Sequence, residues 1–456
     1  MAYTIDNAPL TWRHYCITAV ASLGQLIGTG LATLVSVIIP LYQLIAHPEL
    51  SSFLQGLVGA MDLIGIMVGS TILGKLSDHF GYLFFFRLCP AIVCASAIIS
   101  LLFPHLSVLI ICLFFMGFGI GGEYSLDSNY ISQLMPLKWN FFMIGAAKAA
   151  SALGNIIVAG VCYLMVEDWT SPDLWPRLMW IMIIISGTMI VTRIRFWESP
   201  KWMLEKGKYN QAEEDVHHFL GPDVNVADEN VNPADAIKAE KIELNQPKAQ
   251  PGFLKRNWKN VIFTGVPWAC EGLGVYGIGV FLPILVMALG LEPVKSGETP
   301  LMHVDSSVLI TLWISCIILP GFILGLALIN HVDPAKIQWI GFLLSGAFLL
   351  VLLLANEHHW AKWISIGAFM GFELMLNMGP HLITFVLPPK VYPVADRGLG
   401  SGIAASLGKL GAVLGVFFIP VLLKGGGSSL VLIVSIIVMV VGGLVTFFFN
   451  PEKRYI

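Results

Sequence analysis

Apolar residues dominate this chain in long runs that polar residues interrupt at short, regular intervals. Runs of roughly 20 or more mostly apolar residues, the length that carries a helix through a bilayer, fall at about 15–45, 54–76, 83–103, 107–134, 141–166 and 174–196. They resume at about 259–290, 305–330, 336–355, 361–388, 398–423 and 427–449. No water satisfies backbone groups inside a bilayer, so these runs are expected to be helices. Between the two sets lies a polar stretch from Trp197 to Trp258, with Lys201, Glu205, Lys206, Lys208, Glu213, Glu214, Asp215, Lys238, Glu240 and Lys241. It reads as a water-exposed linker with short amphipathic helices. The pattern therefore predicts an all-α membrane protein of twelve spans, with a six-helix half at 1–196, a linker at 197–258 and a second six-helix half at 259–456.

Composition sharpens this picture. The 456 residues are 56% hydrophobic and 12% charged, about half the charge of a soluble domain. Net charge is −3, which gives no case for a nucleic-acid partner. Most of the 26 basic residues fall on the linker's side of the spans. Arg177, Lys295, Lys362 and Lys424 fall on the other side, and Lys148 and Lys409 lie within spans. By the positive-inside rule the linker and both termini are expected in the cytoplasm. The seven cysteines, Cys16, Cys89, Cys94, Cys112, Cys162, Cys270 and Cys316, sit in or beside apolar runs without a C-x-x-C pair. They read as small core residues, with no disulfide framework or metal site. The first apolar run is too long for a signal-peptide core and is expected to stay in the membrane.

Charged groups within spans cost roughly 2.5–3.5 kcal/mol or more each, so they mark cavities or partners. They are Asp62, Glu123, Asp127, Lys148, Glu271, Glu373 and Lys409. Glu123 and Asp127 are four residues apart and share a helix face, as do Glu373, Asn377 and His381, and Trp268, Gly272 and Tyr276. Glu123 is the first choice for carrying a proton, with Asp127, Glu271, Asp62 and Glu373 as further coupling candidates. Lys409, a point charge with three donors, is the first choice for an anion contact. Histidine's ordinary titration range lets His381 serve either role, though a lone histidine is more often a hydrogen-bonded structural residue. Lys148 can equally serve to neutralise Asp127 or Glu123. Asp62 and Glu373 can also be a solvated residue and a packing contact, and the aromatics of span 7 can be plain packing. No G-x-S-x-G, H-E-x-x-H or phosphate loop suggests an enzyme, and no cofactor is expected.

Several motifs sit at fixed points of the pattern. Gly74-Lys75-Leu76-Ser77-Asp78-His79-Phe80-Gly81, after span 2, resembles the G-x-x-x-D-x-x-G loop of the major facilitator superfamily, although Tyr82 stands in place of its arginine and the nearest basic residue is Arg87. Trp197-Glu198-Ser199-Pro200-Lys201-Trp202-Met203-Leu204 with Glu205-Lys206-Gly207-Lys208 resembles the P-E-S-P-R-W-L…K-G-R signature of sugar porters. Tyr392-Pro393-Val394-Ala395-Asp396-Arg397-Gly398 and Pro451-Glu452-Lys453 resemble its echoes in the second half. Gly117-Phe118-Gly119-Ile120-Gly121-Gly122-Glu123-Tyr124, the Asn377–Phe385 segment and the Gly402–Ala412 segment resemble phosphate and metabolite:proton symporters.

The resemblance to this superfamily implies two pseudo-symmetric six-helix halves that alternate access to a central site. It implies a substrate site of Glu123, Tyr124, Trp268, Tyr276, Asn377, His381 and Lys409, and gate residues Asp78, Arg87, Glu198 and Arg397. Beyond Tyr82, the chain departs from the family in four places. His381 replaces an asparagine, Gly272 an aspartate and Leu113 an arginine, and span 1 lacks its usual aspartate. The familiar Asp–Arg coupling pair is thus absent. The expectation is a secondary transporter, monomeric in a bacterial inner (plasma) membrane, moving a small hydrophilic metabolite of organic or phosphate-like anionic character. Proton coupling is the option its buried acids allow. The alternatives are an uncoupled facilitator for a sugar or neutral metabolite, and a transporter-like sensor that binds without moving its ligand.

Overall fold

The computed structural model describes residues 3–45, 52–167, 172–226, 252–278, 316–392 and 396–451. Its first six long helices are α1 (Trp12–Ile45), α2 (Ser52–Phe80), α3 (Tyr82–Leu102), α4 (Leu106–Leu134), α5 (Asn140–Glu167) and α6 (Met179–Arg193). Two short helices follow, α7 (Pro200–Glu205) and α8 (Tyr209–Leu220). The chain then continues with α9 (Phe253–Gly272), α10 (Cys316–Leu328), α11 (Pro334–Glu357), α12 (Lys362–Met378), α13 (Pro380–Val386), α14 (Pro388–Val391) and α15 (Arg397–Phe449). Ten stretches among the described residues are long and apolar enough to cross a membrane.

The surface confirms the reading of an integral membrane protein. Ile111, Trp180, Ile184, Val191, Phe418, Ile437 and Phe448 all point outward. In water such a belt would be costly; against lipid tails it is neutral. Helices gain no hydrophobic drive from each other in lipid, so small residues must let them approach. On α2 and α4 they do. A side chain at Gly117 would collide with the backbone of Asp62, and one at Gly121 with that of Ile66.

Three features refine the expected spans. The run at 361–388 is split, because Pro380 has no amide hydrogen to continue the ladder; α12 ends at Met378 and α13 begins at Pro380. Helix α9 runs on through a π-helical turn, Leu273–Ile278. The last two runs meet inside α15 at Gly426 and Gly427, the latter at φ +66°, where only a glycine sits without strain. The expected span residues 279–290 and 305–315, the linker's middle and Pro393–Ala395 lie outside the described residues, as do Glu452 and Lys453.

The linker's start is built by its own sequence. Ser199 caps α7, its Oγ accepting from the Trp202 amide at 3.3 Å, and Pro200 opens the helix. Tyr3–Thr4 pairs in parallel with Val224–Asn225. Ile5, Ala8, Val216, Leu220 and Val224 close a small core beneath that ribbon. The N-terminal segment is thus tied to the linker.

On the linker side, α2 packs directly on α15. Ser406 Oγ lies 3.0 Å from Ser70 Oγ. Helix α5 meets α10 and α13, where Gly145 sits against Leu326, Ile329 and Leu382. Helices from the first part of the chain thereby close against helices from the second around the buried groups described next.

Candidate functional site

Helix α4 advances about 100° per residue, so Glu123 and Tyr124 leave it in different directions. Each builds a different site. The expectation that they line one site is therefore corrected.

Tyr124 faces the second part of the chain. Its hydroxyl lies 3.2 Å from that of Tyr276 and accepts from Lys409 Nζ at 3.4 Å. The Lys409 ammonium sits 3.7 Å from the Tyr276 ring centroid and 4.6 Å from that of Tyr124. Lys148, from α5, reaches the same Tyr124 ring at 5.3 Å and Phe385 at 5.7 Å. These are cation–π distances. Trp268, Tyr124 and Phe385 form an aromatic group, with Trp268 seated edge-on to Phe385 at 6.3 Å. Gly408 makes room for the indole, since a side chain there would strike it.

A polar chain on α9, α12 and α13 borders this group. Asn377 Nδ2 donates to Glu373 Oε2 at 3.2 Å, and Asn377 Oδ1 lies 2.8 Å from His381 Nδ1. The amide orientation follows from its bonds to Glu373, so the hydrogen on Nδ1 is assigned from this network. His381 Nε2 then faces Glu271 Oε1 at 3.7 Å. Both atoms are buried without a hydrogen-bond partner. The charge of Glu271 acts on Lys148 and Lys409, and that of Asp62 on Lys409. Among the described residues no carboxylate reaches ion-pair distance of either lysine.

Glu123 points instead into the bundle of α1, α3, α4 and α6. Arg193 Nη1 donates to its Oε1 at 2.7 Å, and Arg193 Nη2 lies 3.7 Å from Asp127 Oδ1. The guanidinium also donates to the Phe86 carbonyl at 2.8 Å and stacks on the Phe86 ring at 3.6 Å. Gln25 Nε2 donates to Asp127 Oδ2 at 3.2 Å. Gly24 leaves the space that both carboxylates occupy. Two expectations are corrected here. Lys148 is not the partner of Asp127 or Glu123, and Arg193 is a fully buried cation of the bundle interior.

The four residues expected at the gate also divide. Asp78 Oδ2 accepts from the Leu399 amide at 3.1 Å, joining the end of α2 to the start of α15. Arg397 opens that helix beside Gly398, which packs against the Asp78 carboxylate. Glu198 and Arg87 act within one bundle. Glu198 accepts from the amides of Tyr82 at 2.8 Å and Leu83 at 3.1 Å, capping α3 where Gly81 turns at φ +97°. Burial pushes its carboxyl above the usual range, against the pull of those amides and of Lys208. Arg87 donates to the carbonyls of Ile194 at 2.7 Å and Phe196 at 3.0 Å, closing the end of α6.

A bundle of lipid-facing helices around a buried, charged and aromatic centre defines a membrane transporter. The chain belongs to the sugar (and other) transporter family, whose profile matches residues 6–455. It is 24% identical to the inner membrane metabolite transport protein YgcS of Escherichia coli, over 92% of this chain and 87% of that one. It is 24% identical to a repressible high-affinity phosphate permease of Neurospora crassa, over 90% of this chain and 78% of the permease. The fold is that of the major facilitator superfamily. It matches the proton:xylose symporter XylE bound to 6-bromo-6-deoxy-D-glucose with a TM-score of 0.80, at 18% identity and 96% coverage of both chains. Against the inward open conformation of XylE the TM-score is 0.67, at 19% identity and again 96% of both chains.

Proposed function

We propose that this transporter moves a small hydrophilic anion, organic or phosphate-like, by alternating access. Two six-helix halves, 1–196 and 259–456, would rock about the centre formed by Tyr124, Lys148, Trp268, Tyr276, His381 and Lys409. The single observation that carries this reading is Lys409. Its ammonium is buried among tyrosines with no carboxylate at ion-pair distance among the described residues. An ammonium held this way inside a membrane protein costs several kcal/mol, and a bound anion offsets that cost. Transport sites of this class lie near the midplane between repeats.

Coupling to protons is proposed through Glu123, Asp127 and Arg193. One arginine faces two buried carboxylates, so a single proton on the pair balances the charge. A cytoplasmic linker and cytoplasmic termini are part of this proposal, supported by the distribution of basic residues. The test is flux in proteoliposomes: Lys409→Ala is expected to abolish uptake of the anion while leaving the fold intact. Unchanged uptake of every anion tried would sink the reading.

A second reading, a facilitator for a neutral sugar, has one observation in its favour. The aromatic wall of Trp268, Tyr124 and Phe385 suits the apolar face of a sugar ring. Uptake independent of both lysines and of the pH gradient would favour it.

A further inference from the structure

Among the described residues two features of the centre are incomplete, one lacking a counter-charge and the other a donor. One is cationic: Lys148 and Lys409 come from opposite sides of the chain's fold and share the Tyr124 ring, at 5.3 and 4.6 Å from its centroid. The other is an acceptor pair. His381 gives its Nδ1 hydrogen to Asn377, so Nε2 of the neutral ring offers a lone pair. That lone pair looks at Glu271 Oε1 across 3.7 Å, and neither atom has a donor. Buried acceptors without donors are expensive, on the order of 1–3 kcal/mol each.

We infer that the centre binds a hydroxylated carboxylate of sugar-acid type, its carboxylate held by Lys148 and Lys409 and its hydroxyls donating to Glu271 and His381. The inference rests on the anion reading above and narrows it. A bare dianion would satisfy the lysines but bring further acceptors to Glu271. A zwitterion would bring an ammonium to Glu271, beside two lysines whose charges already act there. A hydroxyl donates without adding charge. The Trp268 and Phe385 rings then cover the apolar C–H face that a polyol chain presents.

The test uses the full-length protein in proteoliposomes, with binding and uptake of gluconate and glucuronate measured beside glucose, inorganic phosphate and succinate. The sugar acids are expected to bind and enter, with the other three weaker by about tenfold or more, the scale of losing one charge-assisted hydrogen bond. Lys148→Ala and Lys409→Ala are each expected to weaken gluconate binding by about tenfold or more, with partial recovery in Lys148→Arg and Lys409→Arg. Glu271→Ala should weaken gluconate more than succinate. Thermal unfolding of each variant separates loss of binding from loss of fold, and recovery by the arginine variants is a readout that misfolding would not give. Failure of both sugar acids to bind overturns the inference. Lysine-dependent uptake of phosphate or succinate alone would overturn it while leaving the anion reading standing; glucose uptake indifferent to both lysines would overturn both.

Discussion

Arg193 reaches back from the end of α6 and donates to Glu123 at 2.7 Å, a contact that ties α6 to the middle of α4. Asp127 lies 3.7 Å from the same guanidinium. Removing the arginine leaves two acids facing each other out of water. We expect Arg193→Leu to destabilise the protein by about 3–5 kcal/mol, the cost of breaking a buried pair, read as a lower Tm in detergent. Arg193→Leu combined with Glu123→Gln should recover part of that loss. A single variant as stable as the parent would show that the pair does not hold the bundle.

The same pair makes a prediction about coupling. Glu123→Gln keeps the shape of the side chain and one acceptor for Arg193, but cannot take up and release a proton. Accumulation driven by a pH gradient should fail, while counterflow exchange of substrate should continue. The pH dependence of uptake, measured in variant and parent side by side, decides it. Equal profiles would count against a coupling role for Glu123.

The described spans were legible because bilayer physics writes them as long apolar runs broken by glycine, proline and charge, and the loop motifs through their resemblance to the superfamily. Tyr124, Trp268, Tyr276, His381 and Lys409 were legible as well, and the structure brings them together. Arg193 was not. At the end of an apolar run it reads as one more positive-inside residue. Yet side chains on a helix lean toward its N-terminus, so an arginine on the last turn of α6 leans back into the membrane. The signal that could have found it was the demand of Glu123 and Asp127 for a cation, for which the sequence offered Lys148 as one option. Glu198 is a gate residue by resemblance, and its bonds to the Tyr82 and Leu83 amides at the start of α3 could not be read from its spacing.

Asp78, expected at the gate, makes a contact that crosses between the two parts of the chain. It accepts from the Leu399 amide at the start of α15, where unpaired amides and the helix dipole favour an anion. Asp78→Ala should weaken closure on the linker side by about 0.5–2 kcal/mol, as for loss of a capping side chain. Spin labels on the exposed residues Lys75 and Lys255 read the distance across that end. A larger share of long distances is expected in the variant, and an unchanged distribution would remove Asp78 from the gate.

Lys390 is expected to give the protein's stability a pH dependence. Its ammonium lies over the Phe141 ring at 5.1 Å, joining α14 to α5. Burial first, then the nearby charges of Arg397 and Lys201, push this amine down to about 8 from its ordinary 10.5, against the pull of Asp6. A base whose native value is lowered binds fewer protons folded than unfolded between those two values. Stability therefore rises with pH from about 8 to 10.5 and is lost as pH falls through that window. Lys390→Met removes the buried charge and keeps most of the side chain's length. It gives up a cation–π contact of about 0.5–1 kcal/mol, which the parent itself keeps only below about 8, where its amine is charged. Below pH 8 the methionine variant should have its greatest Tm advantage over the parent, and that advantage should shrink as pH approaches 10.5. A difference in Tm that stays constant across the window would mean that the Lys390 charge is already relaxed in the closed state.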